Sequence, residues 1–267
     1  MSAGRAFIRY LTQTSHADVP RRRRSQALHN QDKLLQLTRR IAVLLTAVML
    51  TACGGGSGSN VTLQTVVPLS ELFIVGDSIS AYEADPGSYE YSNYLLLPDV
   101  LDNYAVPGAL LVDDIAAGFN DYADQSPRAD GVIIQGGVND LIQWYSSSVS
   151  QADQLAAMQA AITTMSSAAN SRGLTVIYIN ILPWGGFFLW TEQRQALTED
   201  YNAWLASYAA QTGAVYVDAY SLLRATGGNT THLAAGFDAD TLHTNELGAQ
   251  TLAAEVEAAI IAYRESL

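Results

Sequence analysis

The sequence predicts an α/β domain, a parallel sheet with helices on both faces. Three observations predict it. Short, continuous apolar runs recur along the chain, as suits strands covered on both sides. Long Ala-rich segments alternate with them, the order that winds a parallel sheet. Glycine or proline stands where these elements end. Composition agrees. The chain has 267 residues, 49% hydrophobic and 15% charged, enough for one domain of about 200 residues plus an extension.

Leu72-Phe73-Ile74-Val75 reads as the first buried strand, ending at Gly76. Asn103-Tyr104-Ala105-Val106 reads as a short second one. Residues 130–135 make a third, ending at Gly136-Gly137, and 174–181 a fourth, ending at Leu182-Pro183. Residues 214–218 make the last. Between the later strands, 149–172 and 191–211 have helical length and close on Gly173 and Gly213, suited to helix C-termini. The final helix begins near Thr244 or Asn245, both good N-caps. Its Leu252, Val256, Ile260 and Tyr263 recur at spacings of four, four and three, which places one apolar stripe against the sheet. No internal repeat or second domain is visible.

Residues 1–52 differ in kind. They carry nine of the 14 basic residues and two of the 26 acidic ones, so the remainder holds 5 minus 24, a net charge of −19, with no lysine. A body this acidic repels phosphate backbones, which argues against nucleic-acid binding. Arg39-Arg40 precede twelve apolar or small residues, 41–52. A membrane-spanning helix needs about 20. A basic region, a short apolar run and small residues before a processing point describe a signal peptide. Leu50-Thr51-Ala52-Cys53 resembles the bacterial lipobox. That resemblance implies cleavage before Cys53, lipidation of its sulfur and anchoring in the cell envelope, and Gly54 after the cysteine implies outer-membrane sorting. Residues 53–68 then read as lipidated cysteine and tether, with Gly54-Gly55-Gly56-Ser57-Gly58-Ser59 as its flexible part, and 69–267 as the domain. The first thirty residues exceed what a signal peptide needs, which points to translation starting downstream of Met1. The lone cysteine excludes a disulfide framework and a cysteine-based zinc site.

In open parallel sheets, sites form at the carboxyl ends of the strands. Those ends carry Gly76-Asp77-Ser78-Ile79-Ser80, Pro107-Gly108 and Gly136-Gly137-Val138-Asn139-Asp140. A hydrolytic serine needs a base and a group that orients the base. From Cys53 onward only His232 and His243 are present. Asp240 stands three residues before His243, close enough to fold back onto its Nδ1–H. Asp238, five residues away, ranks below it, and His232 in Asn229-Thr230-Thr231-His232 reads as a loop histidine. The backbone N–H groups of Ser78 and Gly108 and the Asn139 amide are candidate oxyanion donors, preorganised around developing negative charge.

Taken in order, Gly76-Asp77-Ser78, Gly108, Gly137-Val138-Asn139-Asp140 and Asp240-Thr241-Leu242-His243 resemble the blocks of the SGNH (GDSL) hydrolase family. One departure is Gly-Asp-Ser-Ile in place of Gly-Asp-Ser-Leu. The resemblance spans residues 72–248 and implies a flavodoxin-like, three-layer α/β/α fold. It implies Ser78 as nucleophile, His243 as base, Asp240 as its partner, and Ser78, Gly108 and Asn139 as the oxyanion hole. Asp77 and Asp140 read as structural, accepting backbone N–H bonds. No Gly-x-Ser-x-Gly elbow occurs, so the α/β-hydrolase alternative fails. No metal or other cofactor is expected.

Two aromatic groups are candidates for the pocket lining: Tyr82, Tyr89, Tyr91 and Tyr94 after the nucleophile, and Trp184, Phe187 and Phe188 in the Trp184–Trp190 stretch, expected to contact the acyl group. The expected function is that of a lipid-anchored serine esterase acting on short- to medium-chain acyl esters or lysophospholipid-like lipids. An alternative within enzymes is an O-acetyl esterase acting on carbohydrate or peptidoglycan. The reading from another class is a non-catalytic surface binding lipoprotein. Expected partners are the ester substrate and, through Cys53, a membrane. Oligomeric state is left open.

Overall fold

In the computed structural model, residues 68–81 and 89–267 are described. The lipobox-like segment, Cys53, the tether up to residue 67 and Tyr82 lie outside these residues. Five strands form one sheet: β1 (Glu71–Val75), β2 (Asp99–Asn103), β3 (Gly131–Gln135), β4 (Thr175–Ile179) and β5 (Val215–Val217). All pairs are parallel, in the order β2-β1-β3-β4-β5. The chain steps from β1 to β2 on one side, then crosses back over β1 to place β3 on the other. The winding direction therefore reverses between β1 and β3, the kind of switch point at whose carboxyl ends open α/β sheets place their sites.

Strands β1, β3, β4 and β5 are largely apolar because both faces are covered. Phe73, Val75, Val132, Ile134, Val176 and Tyr178 face one core with α1 (Ala116–Gln125), α2 (Val138–Gln143), α3 (Gln151–Ser171) and α4 (Glu192–Thr212). Leu72, Ile74, Ile133, Ile177, Val215 and Val217 face the other with α5 (Ala219–Leu223) and α6 (Glu246–Glu265). Helix α6 forms as expected. Asn245 caps it by accepting from the Gly248 N–H (3.0 Å), and Leu252, Val256 and Ile260 are fully buried. Burial of side chains this size contributes about 1.5–3 kcal/mol each. Ser150 and Thr191 cap α3 and α4 in the same way.

One expected strand moves. The regular second strand is Asp99–Asn103, ahead of the predicted 103–106. The predicted stretch still follows β1, with Tyr104 N–H donating to Ile74 (2.9 Å) and Val106 N–H to Gly76 (3.0 Å). The partly polar edge strand Asp99-Val100-Leu101-Asp102-Asn103 has no continuous apolar run to betray it. Helices α1, α2 and α5 went unpredicted. Five residues of π-helix (Leu111–Ile115) lead into α1, and α2 and α5 are too short for periodicity to show.

Candidate active site

Ser78 lies just past β1, where the chain makes one tight turn. The Ser80 and Ala81 N–H groups donate to the Asp77 carbonyl (3.1 and 3.0 Å), and the Ile79 N–H donates to Asp77 Oδ1 (3.0 Å). Both flanking strands tie this turn down with their last residues. The Ser80 hydroxyl donates to Gln135 Oε1 (2.9 Å), and the Asn103 amide donates to the Ser80 carbonyl (2.7 Å). Asp77 is fully buried, and that burial raises its pKa against the opposing pull of the Ile79 N–H. Asp77 thus holds the turn, the structural part expected of it.

The candidate base, His243, lies on the loop before α6. His243 Nε2 lies 2.8 Å from Ser78 Oγ, and its Nδ1 lies 2.7 Å from Asp240 Oδ2. The second carboxylate oxygen of Asp240 accepts from the backbone N–H groups of Leu242 (3.0 Å) and His243 (2.7 Å). Burial opposes ionisation of Asp240. The hydrogen bonds from His243 outweigh it and hold the carboxyl down at about 2. His243 itself is buried, at 8% exposure. The turn closes because Thr241 adopts the left-handed region, φ 75°. A β-branched residue there is strained by about 1–3 kcal/mol. Asp238 holds it by accepting from the Thr241 N–H (2.6 Å). Asp238 therefore supports the turn and Asp240 faces the imidazole, as the spacing predicts. His232 bonds to its neighbour instead, with Nδ1 3.2 Å from Thr231 Oγ1.

The candidate oxyanion donors come from the loops after β2 and β3. Among the described residues, the Ser78 and Gly108 backbone N–H groups are committed to no other hydrogen bond. Asn139 lies in the first turn of α2, and its amide nitrogen donates to the Ala109 carbonyl (3.2 Å). An amide carries two such protons, so one is left for a ligand. Asp140 accepts from the Leu111 (2.7 Å) and Val112 (3.1 Å) N–H groups. Burial pushes its carboxyl up to about 6, against those two donors. The Asn139-Asp140 pair thus laces the Gly108 loop to the start of α2. That start needs Gly137, whose φ is 112° and whose added Cβ would lie 2.8 Å from Met158 Cε.

The aromatic candidates divide. Trp184 is fully buried, its indole N–H donating to Thr198 Oγ1 (3.1 Å), so it is a core residue and presents no surface to an acyl group. An apolar stretch at the mouth of a strand reads the same in sequence whether it turns in or out. Phe187 is half-buried beside it, and Phe188 is 72% exposed with its ring 4.6 Å from that of Phe187. Tyr91 is likewise buried, in the core under α6. Tyr94 reaches Glu246 on α6 (3.4 Å), and Tyr89 packs against the same core. Two cavities of about 270 and 140 Å³ lie elsewhere, neither of them lined by Ser78, Asp240 or His243.

Comparison with known proteins bears on this arrangement. A model of the GDSL-like lipase/acylhydrolase family matches residues 74–251. The chain belongs to that family. Solved structures share the fold at low identity. A GDSL-like lipase from Bacteroides thetaiotaomicron matches at TM-score 0.56 and 16% identity, over 74% of this chain and 89% of that one. A catalytic mutant of an acetylxylan esterase from Geobacillus stearothermophilus matches at 0.57 and 17%, over 73% and 95%. No curated protein sequence matches. This GDSL-family chain thus places the residues of all four sequence blocks at the carboxyl end of its sheet. Sequence reasoning missed Thr241, Asp238 as a support, and the ties from Asn103 and Gln135. A positive φ leaves no mark at a threonine, and the two strand-end ties join residues 23 and 55 positions apart.

Proposed function

We propose that this GDSL-family protein hydrolyses carboxylic esters through an acyl-enzyme on Ser78. The unbroken chain from Ser78 Oγ to His243 (2.8 Å) to Asp240 (2.7 Å) is the observation that supports it. Ser78 Oγ attacks the ester carbonyl as His243 Nε2 takes its proton. Asp240, ionised well into the acid range, stabilises the imidazolium and fixes its tautomer. The Ser78 and Gly108 N–H groups and the free Asn139 amide proton receive the oxyanion. The tetrahedral intermediate collapses, and the leaving alkoxide takes the proton from His243. Water, deprotonated by His243, then attacks the acyl group, releases the acid and restores Ser78.

The substrates in this reading are short- to medium-chain acyl esters, including lysophospholipid-like lipids. A second reading is O-deacetylation of a carbohydrate. The likeness to an acetylxylan esterase favours it, as does the exposed Phe188, a face on which a sugar ring can stack. We place the protein in a bacterial cell envelope, anchored at Cys53, with radiolabelled palmitate incorporation lost in Cys53→Ser as the test. The activity test is hydrolysis of p-nitrophenyl acetate, butyrate, octanoate and palmitate by the full chain against Ser78→Ala. Turnover that vanishes in the variant supports the hydrolase. Activity confined to acetate selects the deacetylase. A folded wild type without turnover makes a binding lipoprotein the better reading.

A further inference from the structure

The loop after β4, residues 184–190, runs from the turn next to Asp240 to the C-terminal end of α2. Its first part docks on the loops that carry the acid–base pair. The Gly185 N–H donates to the Thr231 carbonyl (2.8 Å). A Cβ on Gly186 would come within 3.0 Å of Thr241 Cβ and 3.1 Å of His232 Cδ2, so the backbone lies directly against the strained turn next to Asp240. Two tight turns follow, Phe187 N–H to Trp184 (2.9 Å) and Trp190 N–H to Phe187 (2.9 Å), and lift Phe188 outward. Its far end is held by one side chain. Arg194, on the first turn of α4, donates to the Leu189 carbonyl, and to the carbonyls of Ile142 (2.9 Å) and Trp144 (3.0 Å) at the C-terminal end of α2. Helix α2 carries Asn139 as its second residue.

Arg194 is a poor choice for its place on every other count. A cation in the first turn opposes the helix dipole. Partial burial lowers its pKa, and among the described residues it makes no ion pair. All three of its hydrogen bonds serve backbone carbonyls, two of them at the end of α2, where helical carbonyls lack partners. A planar five-donor fork suits several acceptors at once.

We propose that Arg194 is a positioning residue, a clamp that fixes residues 184–190 as a strap between the Asn139 helix and the Asp240 turn, so that Phe188 forms an apolar wall for the bound ester. The role of Phe188 rests on the hydrolase reading; the clamp does not. The amino end of α2 has its own ties through Asn139 and Asp140. Loss of the guanidinium therefore frees the strap while leaving the oxyanion side in place, and substrate binding suffers before turnover.

The test uses the full chain as wild type, Arg194→Met, Arg194→Lys, Phe188→Ala and the double variant Arg194→Met/Phe188→Ala. Amide hydrogen exchange over residues 184–190 and steady-state kinetics on p-nitrophenyl acetate, a substrate in both ester readings, are read together. Arg194→Met should speed strap exchange and raise KM by about fivefold each, the equivalent of one or two lost hydrogen bonds, with kcat within about twofold. Arg194→Lys should recover part of both effects, since one ammonium can serve one or two of the three carbonyls. The double variant should show no higher KM than Phe188→Ala alone, because both changes remove the same wall. Unchanged strap exchange in Arg194→Met would overturn the clamp, whatever the enzyme does. A loosened strap with unmoved KM, or KM effects that multiply in the double variant, would overturn the role of Phe188. Absence of ester turnover in the wild type would instead overturn the hydrolase reading and the Phe188 wall together, while the exchange data still decide the clamp.

Discussion

The two halves of the candidate site are held by different means. The Ser78 side is built from a distance. Asn103, Gln135 and Asp140 reach across from neighbouring strand ends and loops, 23 to 55 positions from Ser80 and 28 or 29 from the loop amides that Asp140 binds. The Asp240–His243 side is built locally. Asp238 and Asp240 each bind amides two or three residues away, and the whole turn fits within six residues. The first half inherits its geometry from the sheet, and the second carries its geometry in its own chain and stores strain at Thr241. Damage to the sheet ends should therefore reach Ser78 and Asn139, while damage to the turn should stay with His243.

The largest expected effects fall on the chemistry that the two halves share. Ser78→Ala should lower kcat by about 10⁴-fold or more, and Asp240→Asn by about 10²–10⁴-fold, because the imidazole loses its tautomer and its counter-charge. Equal KM values in steady-state kinetics would place these losses in turnover. Next comes Asn139→Ala, about 10²-fold in kcat, the cost of one oxyanion donor. No change in kcat would take Asn139 out of the oxyanion hole and leave it as a tie to Ala109.

Smaller effects separate the halves by pH. The carboxyl of Asp240 sits at about 2 in the folded chain, below its ordinary 3.8. A depressed carboxyl contributes stability above about pH 4 and loses it as pH falls toward 2. The melting-temperature gap between wild type and Asp240→Asn should thus shrink from pH 5 to pH 2.5. Asp140 has the opposite sign. Burial lifts it to about 6, so its ionisation costs stability as pH rises from about 4 through 6. The smallest effect belongs to Thr241→Gly. Relief of the left-handed strain should offset the entropy that glycine adds to the unfolded chain and leave stability within about 1 kcal/mol of wild type by thermal melting. A large loss would mean that the threonine side chain, packed against Gly186, holds the turn itself.

The same contrast governs what could be read from the sequence. The Asp240–His243 pair was legible from a spacing of three because the turn is local. Strands β1, β3, β4 and β5 were legible because burial on both faces makes them continuously apolar, and α6 because its stripe is periodic. The edge strand β2 was not, since Asp99 and Asp102 interrupt it and one of its sides has no neighbour. The direction of Trp184 was not legible either. Both a core tryptophan and a pocket tryptophan follow a strand in the same way, and only Thr198, fourteen residues on, shows which one this is. Arg194 gave no signal because its acceptors are backbone carbonyls 5, 50 and 52 positions away, and any residue supplies a carbonyl.

In the proposed reaction, Ser78, activated by His243, is the nucleophile of this GDSL-family protein. Reaction of the full chain with a fluorophosphonate, followed by peptide mass mapping, tests it most directly. A single adduct is expected on the peptide containing Ser78, formed at a rate that collapses in His243→Ala. An adduct on a different serine, or none on folded protein, would contradict it.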